Sequence, residues 1–518
     1  MTCPRVVESK NRRLALWVMS VGCFVIGFDA SAVVVVIPIM LTNFHISVAQ
    51  AGWVSSGYLV SYVVLVLPGG RLGARFGERN IYLAGLLVFV LASLGCGLSG
   101  TFTALIVARV IQGVGAALMA PQPMAVVTHI FPAENRGPAI ALWSMVGGVA
   151  GFCGPIVGGG IITNLGWQWI FLINLPIGII AFALAAAYVP VLPNSSQNLD
   201  VLGTVFSGVA IALAVFGIQY GPQYHWARIA GSYITVSEVL ALSLLFAAVF
   251  ILHQWKYATE PLISSRIFRN RNFSAGLAAN IIGTFGLASL ALPLMLYAQN
   301  VRGMSPVGAA LFFVPLGVAS ILMAPVAGWL TSKIQPRILA LSGFIVMLTV
   351  LTLLVTEFEP TTPMWVIGLL TAVMGGGASL AGTAVGTVTL RNLSPDLAGT
   401  GSGLLTAAGL FSAVLASACM ASILDVMLGS QSGFSSGDLM LAAARMRYAH
   451  GIAQSVMLPT VATFFGALVC LKMNDFPELP RSFRWTRRLG VTSPSERPVA
   501  VSDVYSPEVV AVSRKEEC

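Results

Sequence analysis

Gly70-Arg71-Leu72-Gly73-Ala74-Arg75-Phe76-Gly77-Glu78-Arg79 is a short basic, glycine-rich segment between two apolar runs, 51–69 and 80–99. Its glycines allow a tight turn and close helix approach, and its arginines hold it at one face of a membrane. Working outward, apolar runs recur near 14–41, 51–69, 80–99, 102–128, 139–163, 169–190, 201–220, 232–253, 273–298, 305–330, 338–356, 363–389, 400–425 and 452–472. Each is long enough to cross the hydrocarbon core, which takes roughly 20 helical residues. The fold class read from this pattern is an all-α polytopic membrane protein of fourteen spans.

Composition excludes the main alternatives. Of 518 residues, 57% are hydrophobic and 9% charged, against roughly 25% charged in soluble domains. No stretch outside the runs is long enough for an independent catalytic core. The net charge of +9 sits in short connections and not on a soluble basic face, which argues against nucleic acid as a partner and for membrane topology. Lys and Arg crowd the N-terminus, the connections 70–79, 254–272 and 331–337, and the tail from Lys472, whereas the opposite connections hold only Arg228, Arg302, Arg445 and Arg447. Both termini are therefore expected in the cytoplasm, in a plasma (inner) membrane. The first run exceeds a signal-peptide core and reads as a retained span. The cysteines are scattered with no C-x-x-C pair, so a disulfide or metal site is not expected.

The chain echoes itself. Gly70-Arg71-Leu72 followed by Arg75 is matched 258 residues later by Gly328-Trp329-Leu330 followed by Lys333, and the first spans of the two halves, at Leu14 and Phe273, stand 259 apart. Two homologous six-helix halves with a two-helix insertion follow, an arrangement that puts a site where repeats meet. The expected divisions are a cytoplasmic N-terminus at 1–13, a first half at 14–190, two inserted helices and a linker at 191–272, a second half at 273–472 and a disordered cytoplasmic tail at 473–518.

Two charges lie clearly inside the spans. Arg109 belongs to Leu105-x-x-x-Arg109-x-x-Gln112-Gly113-x-Gly115 and Asp29 to Gly27-Phe28-Asp29-Ala30-Ser31; Glu238 and Asp425 stand near span ends. Charge in lipid is costly, so Arg109 must face a partner or a wet cavity. Counted along their helices, Asp29 lies roughly 18 Å and Arg109 roughly 10 Å below the outer face, in broadly one zone. Asp29 is expected to bind a transported proton and to attract cationic substrates. A third string, Gly151-Phe152-Cys153-Gly154-Pro155-x-x-Gly158-Gly159-Gly160, removes side-chain bulk at a helix contact, and Pro155 removes a ladder hydrogen bond so that the helix can bend.

Over nearly its whole length the chain resembles the fourteen-span drug:proton antiporter branch of the major facilitator superfamily. The 70–79 segment resembles the loop signature G-x-L-a-D-r-x-G-r-k, the Arg109 segment R-x-x-q-G-x-g, the span-five string the motif shared by antiporters, and the Asp29 segment L-D-x-[ST]. The resemblance implies the major facilitator fold, two six-helix halves with two extra helices between them. It implies a secondary active transporter, working as a monomer in the lipid bilayer, that exports small amphipathic or hydrophobic compounds such as drugs or antibiotics in exchange for protons. No cofactor is implied beyond the proton gradient. Asp29, Arg109 and Gln112 would serve proton and substrate; Gly70, Arg71, Arg75, Gly77, Glu78 and Arg79 would form the gating loop; Gly151, Gly154, Pro155, Gly158 and Gly159 would carry the antiporter contact.

The chain departs from the pattern where the signature has an acid, with Ala74 in the first loop and Ser332 in the second. Glu78 is expected to restore a charge pair from another place. Val33 to Pro38 lacks the family's asparagine, Gly409 replaces a basic residue, and Gly375-Gly376-Gly377 reads as a helix break beside the cavity, the alternative being a packing surface. The alternatives are proton-coupled metabolite uptake and a non-transporting receptor or scaffold. The histidines (His45, His129, His225, His253, His450) are dispersed and no zinc or P-loop pattern exists, which argues against an enzyme and against ATP as the energy source.

Overall fold

Lipid offers backbone groups no hydrogen-bond partner, so a chain this apolar satisfies them within helices. A computed structural model of the chain describes residues 9–131, 133–192, 200–229, 233–258, 262–263, 265–391, 393, 395–428 and 442–473. The expected disordered tail lies outside them. Among the described residues, fourteen helices are long and apolar enough to cross a membrane, numbered here as spans 1 to 14. They are Arg12–Asn43, Val48–Phe76, Glu78–Gly97, Phe102–Val127, Val146–Leu165, Trp169–Tyr188, Val201–Tyr220, Val236–Lys256, Arg271–Val301, Pro306–Thr331, Pro336–Glu357, Met364–Leu390, Gly401–Leu428 and Arg445–Cys470. Successive crossings return the end of span 14 to the face where span 1 begins, called here the terminal face.

Local chemistry sets the helix starts. Ser47 and Gln50 form a capping box at span 2, Thr235 and Glu238 another at span 8, and Ser305 caps span 10 ahead of Pro306. Each satisfies backbone N–H groups that have no partner inside the helix. Between spans 2 and 3 the chain reverses at one residue, Gly77, with φ +93°, a conformation that disfavours any residue with a Cβ. Some expectations are corrected. The Gly375 segment breaks nothing, because Met364–Arg391 is one continuous helix in which Gly375 and Gly377 are packed against spans 10 and 11. The last span begins earlier than expected, since a helix runs from Ala442 to Ser455 and takes Arg445 and Arg447 out of the connection.

The two six-helix halves repeat one another down to single helix crossings. A Cβ on Gly113 of span 4 would stand 2.3 Å from the Tyr58 carbonyl oxygen of span 2; one on Gly375 of span 12 would stand 2.0 Å from that of Leu316 in span 10. Likewise Gly115 meets the Gly85 carbonyl at 2.8 Å and Gly377 that of Gly343 at 3.3 Å. Tyr58 and Leu316 are separated by the same 258 residues as the loop motifs, and Gly113 and Gly375 by 262. The inserted spans 7 and 8 pair through Ser243 Oγ donating to the Ala210 carbonyl at 2.8 Å, and through Asp200, which accepts from His253 Nε2 at 2.8 Å and Gln254 Nε2 at 2.5 Å. Span 7 reaches span 2, where Gln219 Nε2 donates to Ser56 Oγ at 3.2 Å, and Ser56 Oγ in turn reaches Ser417 Oγ of span 13 at 3.3 Å.

The seam between the halves closes at the face away from the termini. There Gln299 donates to the Val35 carbonyl at 3.4 Å and the Ala49 N–H to Asp425 Oδ1 at 3.5 Å. A Cβ on Gly159 of span 5 would stand 2.9 Å from the Pro306 carbonyl of span 10. Gly148, eleven residues earlier and so three turns down the same face of span 5, meets nothing within 4 Å, and neither do Gly151, Gly382 or Gly386. The contact face of span 5 that is packed at the far end is open at the terminal face.

Candidate functional site

Asp29 on span 1 and Arg109 on span 4 form an ion pair with both side chains 0% exposed. Arg109 Nε also donates to the Val54 carbonyl at 2.8 Å and Nη1 to Gln112 Oε1 at 2.7 Å. Asp29 Oδ1 accepts from Gln112 Nε2 at 2.9 Å and from Asn174 Nδ2 of span 6 at 3.0 Å. Ser93 Oγ of span 3 closes the ring, accepting from Gln112 at 2.7 Å and Asn174 at 3.3 Å. Aromatic faces cover the guanidinium, with Tyr58 at 4.3 Å and Phe171 at 5.6 Å from Arg109 Cζ. Helices 1, 2, 3, 4 and 6 of the first half thus converge on one hydrogen-bonded network around this ion pair.

Asp29 and Arg109 share one zone, as expected from their depths. The expectation that Asp29 attracts cationic substrates is not met in this conformation: the carboxylate is sealed inside the first half and balanced by Arg109, so it presents no charge to the gap. Sequence reading also missed Ser93, Tyr58 and Asn174. Asn174 carried a signal as the one amide in the apolar run 169–190, whereas Ser93 and Tyr58 carried none.

The span-five string divides by its helical faces. A Cβ on Gly154 would stand 1.9 Å from Ser31 Oγ and 2.8 Å from the Phe28 carbonyl, and one on Gly158 3.2 Å from Ala32. These residues flank Asp29 on span 1, and Ser31 Oγ also donates across to the Ala150 carbonyl at 3.3 Å. Gly159 meets span 10 of the other half, Gly151 faces open space, and Pro155 sits within an uninterrupted helix, Ala133–Leu165.

The 70–79 segment packs on the end of span 4. Gly70 lies against Pro121, and Gly73 against Gln122, whose Nε2 donates to the Gly69 carbonyl at 2.9 Å. Arg75 lies over Phe76 at 5.4 Å, and Arg79 donates to the Ala186 carbonyl of span 6. Glu78 stands in the first turn of span 3, where the helix dipole favours an acid. It is 5% exposed with Oε2 unpartnered and makes no ion pair among the described residues. The expected replacement of the missing loop acid by Glu78 is therefore not seen here. Ser332's side chain lies outside the described residues. Among them, no group of three His, Cys, Asp or Glu could hold a metal ion, and Cys23, Cys96, Cys153, Cys419 and Cys470 are free thiols.

As a carboxylate Asp29 accepts three hydrogen bonds, from Arg109, Gln112 and Asn174, and its charge is the counterpart without which Arg109 would be buried unpaired.

Comparisons with known proteins agree with this architecture. The chain is 36% identical over 479 residues to an uncharacterized MFS-type transporter of Mycobacterium tuberculosis, covering 90% of this chain and 82% of that one. It is 32% identical over 425 residues to the tetracenomycin C resistance and export protein of Streptomyces glaucescens, covering 81% and 76%. It is 29% identical to the methylenomycin A resistance protein of Streptomyces coelicolor, covering 83% and 86%. Among solved structures, a bacterial homolog of the human lysosomal transporter Spinster, inward-facing and unoccupied, shares the fold with a TM-score of 0.65 at 17% identity, covering 90% of this chain and 98% of that one. The Major Facilitator Superfamily model matches residues 19–417, and with fourteen spans in two repeated six-helix halves around two extra helices, the chain belongs to that superfamily and is a membrane transporter, not an enzyme.

Proposed function

We propose that this transporter exports small amphipathic or apolar compounds, antibiotics among them, in exchange for protons, working as a monomer with both termini in the cytoplasm. The observation that carries the reading is the Asp29–Arg109 pair, a proton-titratable group kept in the membrane interior at a cost that packing alone does not require. The Streptomyces relatives, one a tetracenomycin C resistance and export protein and one a methylenomycin A resistance protein, support the substrate class. The glycine faces of Gly154 and Gly158 against the Asp29 turn supply the coupling: repacking at Asp29 moves span 1, and span 5 moves with it. Basic residues concentrated at the terminal face support a cytoplasmic orientation, which makes this conformation inward-open. Ala74 stands where the signature has an acid, and Glu78 makes no ion pair among the described residues, in keeping with a molecule that rests open on that side.

The test is a pH-gradient assay in everted vesicles over a compound panel that includes tetracenomycin C and methylenomycin A. Addition of a transported compound is expected to release protons in the wild type, and Asp29→Asn is expected to abolish that release. Full pH dependence in Asp29→Asn would remove the carrier role from Asp29, and no proton movement with any compound would remove antiport.

A further inference from the structure

Three polar atoms around the ion pair have no hydrogen-bond partner although their residues are fully buried: Arg109 Nη2, Tyr58 Oη and Asn174 Oδ1. They comprise a donor, an acceptor and a hydroxyl that is both. Leaving each unsatisfied costs roughly 1–3 kcal/mol, whereas one water held by two to four such groups satisfies them together. A second observation gives the set a direction. One turn toward the terminal face from Tyr58, span 2 carries Tyr62, with ring centroids 5.9 Å apart and Tyr62 7% exposed. The titratable groups facing Tyr58 are Asp29 and Cys23 from span 1, Tyr62 from its own helix and Arg109 from span 4. In the second half, Tyr58 corresponds to Leu316 and Tyr62 to Ser320, whose Oγ donates to the Leu316 carbonyl of its own helix and to the Gly375 carbonyl of span 12. Phenols at these positions are therefore not a demand of the fold.

We propose that Arg109 Nη2, Tyr58 Oη and Asn174 Oδ1 enclose a buried water site beside Asp29, and that the Tyr58 hydroxyl relays protons between this water and Tyr62, one turn nearer the terminal face. The inference rests on the proton-coupled reading above. In each hop one O–H bond breaks as another forms: Tyr58 gives its proton to the water as it takes one from the Tyr62 side, and the water passes one to the Asp29 carboxylate. The net change is one proton moved from beyond Tyr62, on its terminal-face side, to Asp29, with both phenols restored. Tyr58 is a positioning and relay residue; Asp29 remains the acceptor.

The experiment is a pH-jump infrared difference measurement on the full chain in liposomes, which needs no transported compound. It follows the carboxylic-acid C=O band of Asp29, identified by its loss in Asp29→Asn, and the O–D stretch of weakly bonded water after deuteration. Tyr58→Phe keeps the ring over Arg109 and removes only the hydroxyl. The expected result is an Asp29 band of unchanged amplitude that appears roughly a hundredfold more slowly, with the water band lost; Tyr62→Phe slows the band and keeps the water. A wild-type rate in Tyr58→Phe overturns the relay while leaving Asp29 as carrier. Loss of amplitude in Tyr58→Phe also overturns it, since the phenol then only shapes the Asp29 environment. A band that survives in Asp29→Asn, or is absent from the wild type, overturns the proton-carrier reading and the relay with it.

Discussion

The first half of this transporter holds a charged network where the second half, at the same helix crossings, holds none. Counting from the matched glycines Gly113 and Gly375, Arg109 corresponds to Thr371 and Gln112 to Met374; counting by the 258-residue repeat, Ser93 corresponds to Leu351 and Tyr58 to Leu316. Thr371, Met374 and Leu351 are all fully buried, as are Arg109, Gln112 and Ser93, so these positions are equally buried in both halves. The glycine contacts that set the crossings are common to the two halves, and the polar residues are not. One architecture is thus built with and without an internal ion pair, which separates what the fold requires from what it carries. The fold requires small residues at crossings. The ion pair is additional, and it carries a desolvation cost that the second half does not bear at these positions.

The sharpest way to break this comparison is to remove one charge. Arg109→Leu leaves Asp29 buried and unpaired, and is expected to destabilise the protein by about 3–5 kcal/mol, seen as a large fall in the thermal midpoint in detergent together with loss of transport. Giving the first half the second half's residues, with Asp29→Leu, Arg109→Thr, Gln112→Met and Ser93→Leu together, is expected to keep or raise that midpoint, because apolar replacement of a whole buried pair is often neutral or stabilising by about 1–4 kcal/mol. Proton coupling should vanish all the same. A quadruple variant as unstable as Arg109→Leu would mean that the network is structural.

The next test concerns what the halves share. Gly113→Ala and Gly375→Ala each drive a methyl group into a backbone carbonyl, and each is expected to cost about 1–3 kcal/mol by the same thermal assay. Unequal costs would show that the two crossings bear different loads despite their matching geometry.

The smallest effect is expected in the inserted pair, which belongs to neither repeat. Asp200 caps span 7 by accepting from the Gly203 N–H at 2.8 Å. Burial pushes its carboxyl up, but the Gly203 N–H, His253 and Gln254 outweigh that and hold it below the ordinary carboxylate value. A lowered value means that the interaction stabilises the fold at neutral pH and is lost as the pH falls through it. Asp200→Asn keeps a capping oxygen but loses the charge that strengthens the bonds from the Gly203 N–H, His253 and Gln254, so it should cost about 1 kcal/mol at neutral pH, and its thermal midpoint should converge with that of the wild type below pH 3.8, the unperturbed value. An offset that persists in acid would separate the cap from the charge.

Much of the fold could be read from the chain because spanning lipid is a local demand: each helix announces itself by length and apolarity. Asp29 and Arg109 were legible for the same reason, since a charge inside an apolar run has few explanations. Ser93 and Tyr58 were not, because serine and tyrosine are ordinary in membrane helices and only helix rotation and crossing bring them to the carboxylate. The Gly375 run misled, because glycine signals a break and a close contact with the same letters, and the neighbour decides between them.

By itself the sequence determined the fourteen helices, their repeat across 258 residues and the presence of two opposite charges within the membrane, since these depend on residue type along one chain. The tertiary structure alone decided that five helices converge on the network around Asp29, that the pair is sealed from the gap, and that the seam is closed at Gly159 and open at Gly148. Those features depend on which helix faces meet, and that is set by contacts between residues far apart in the chain.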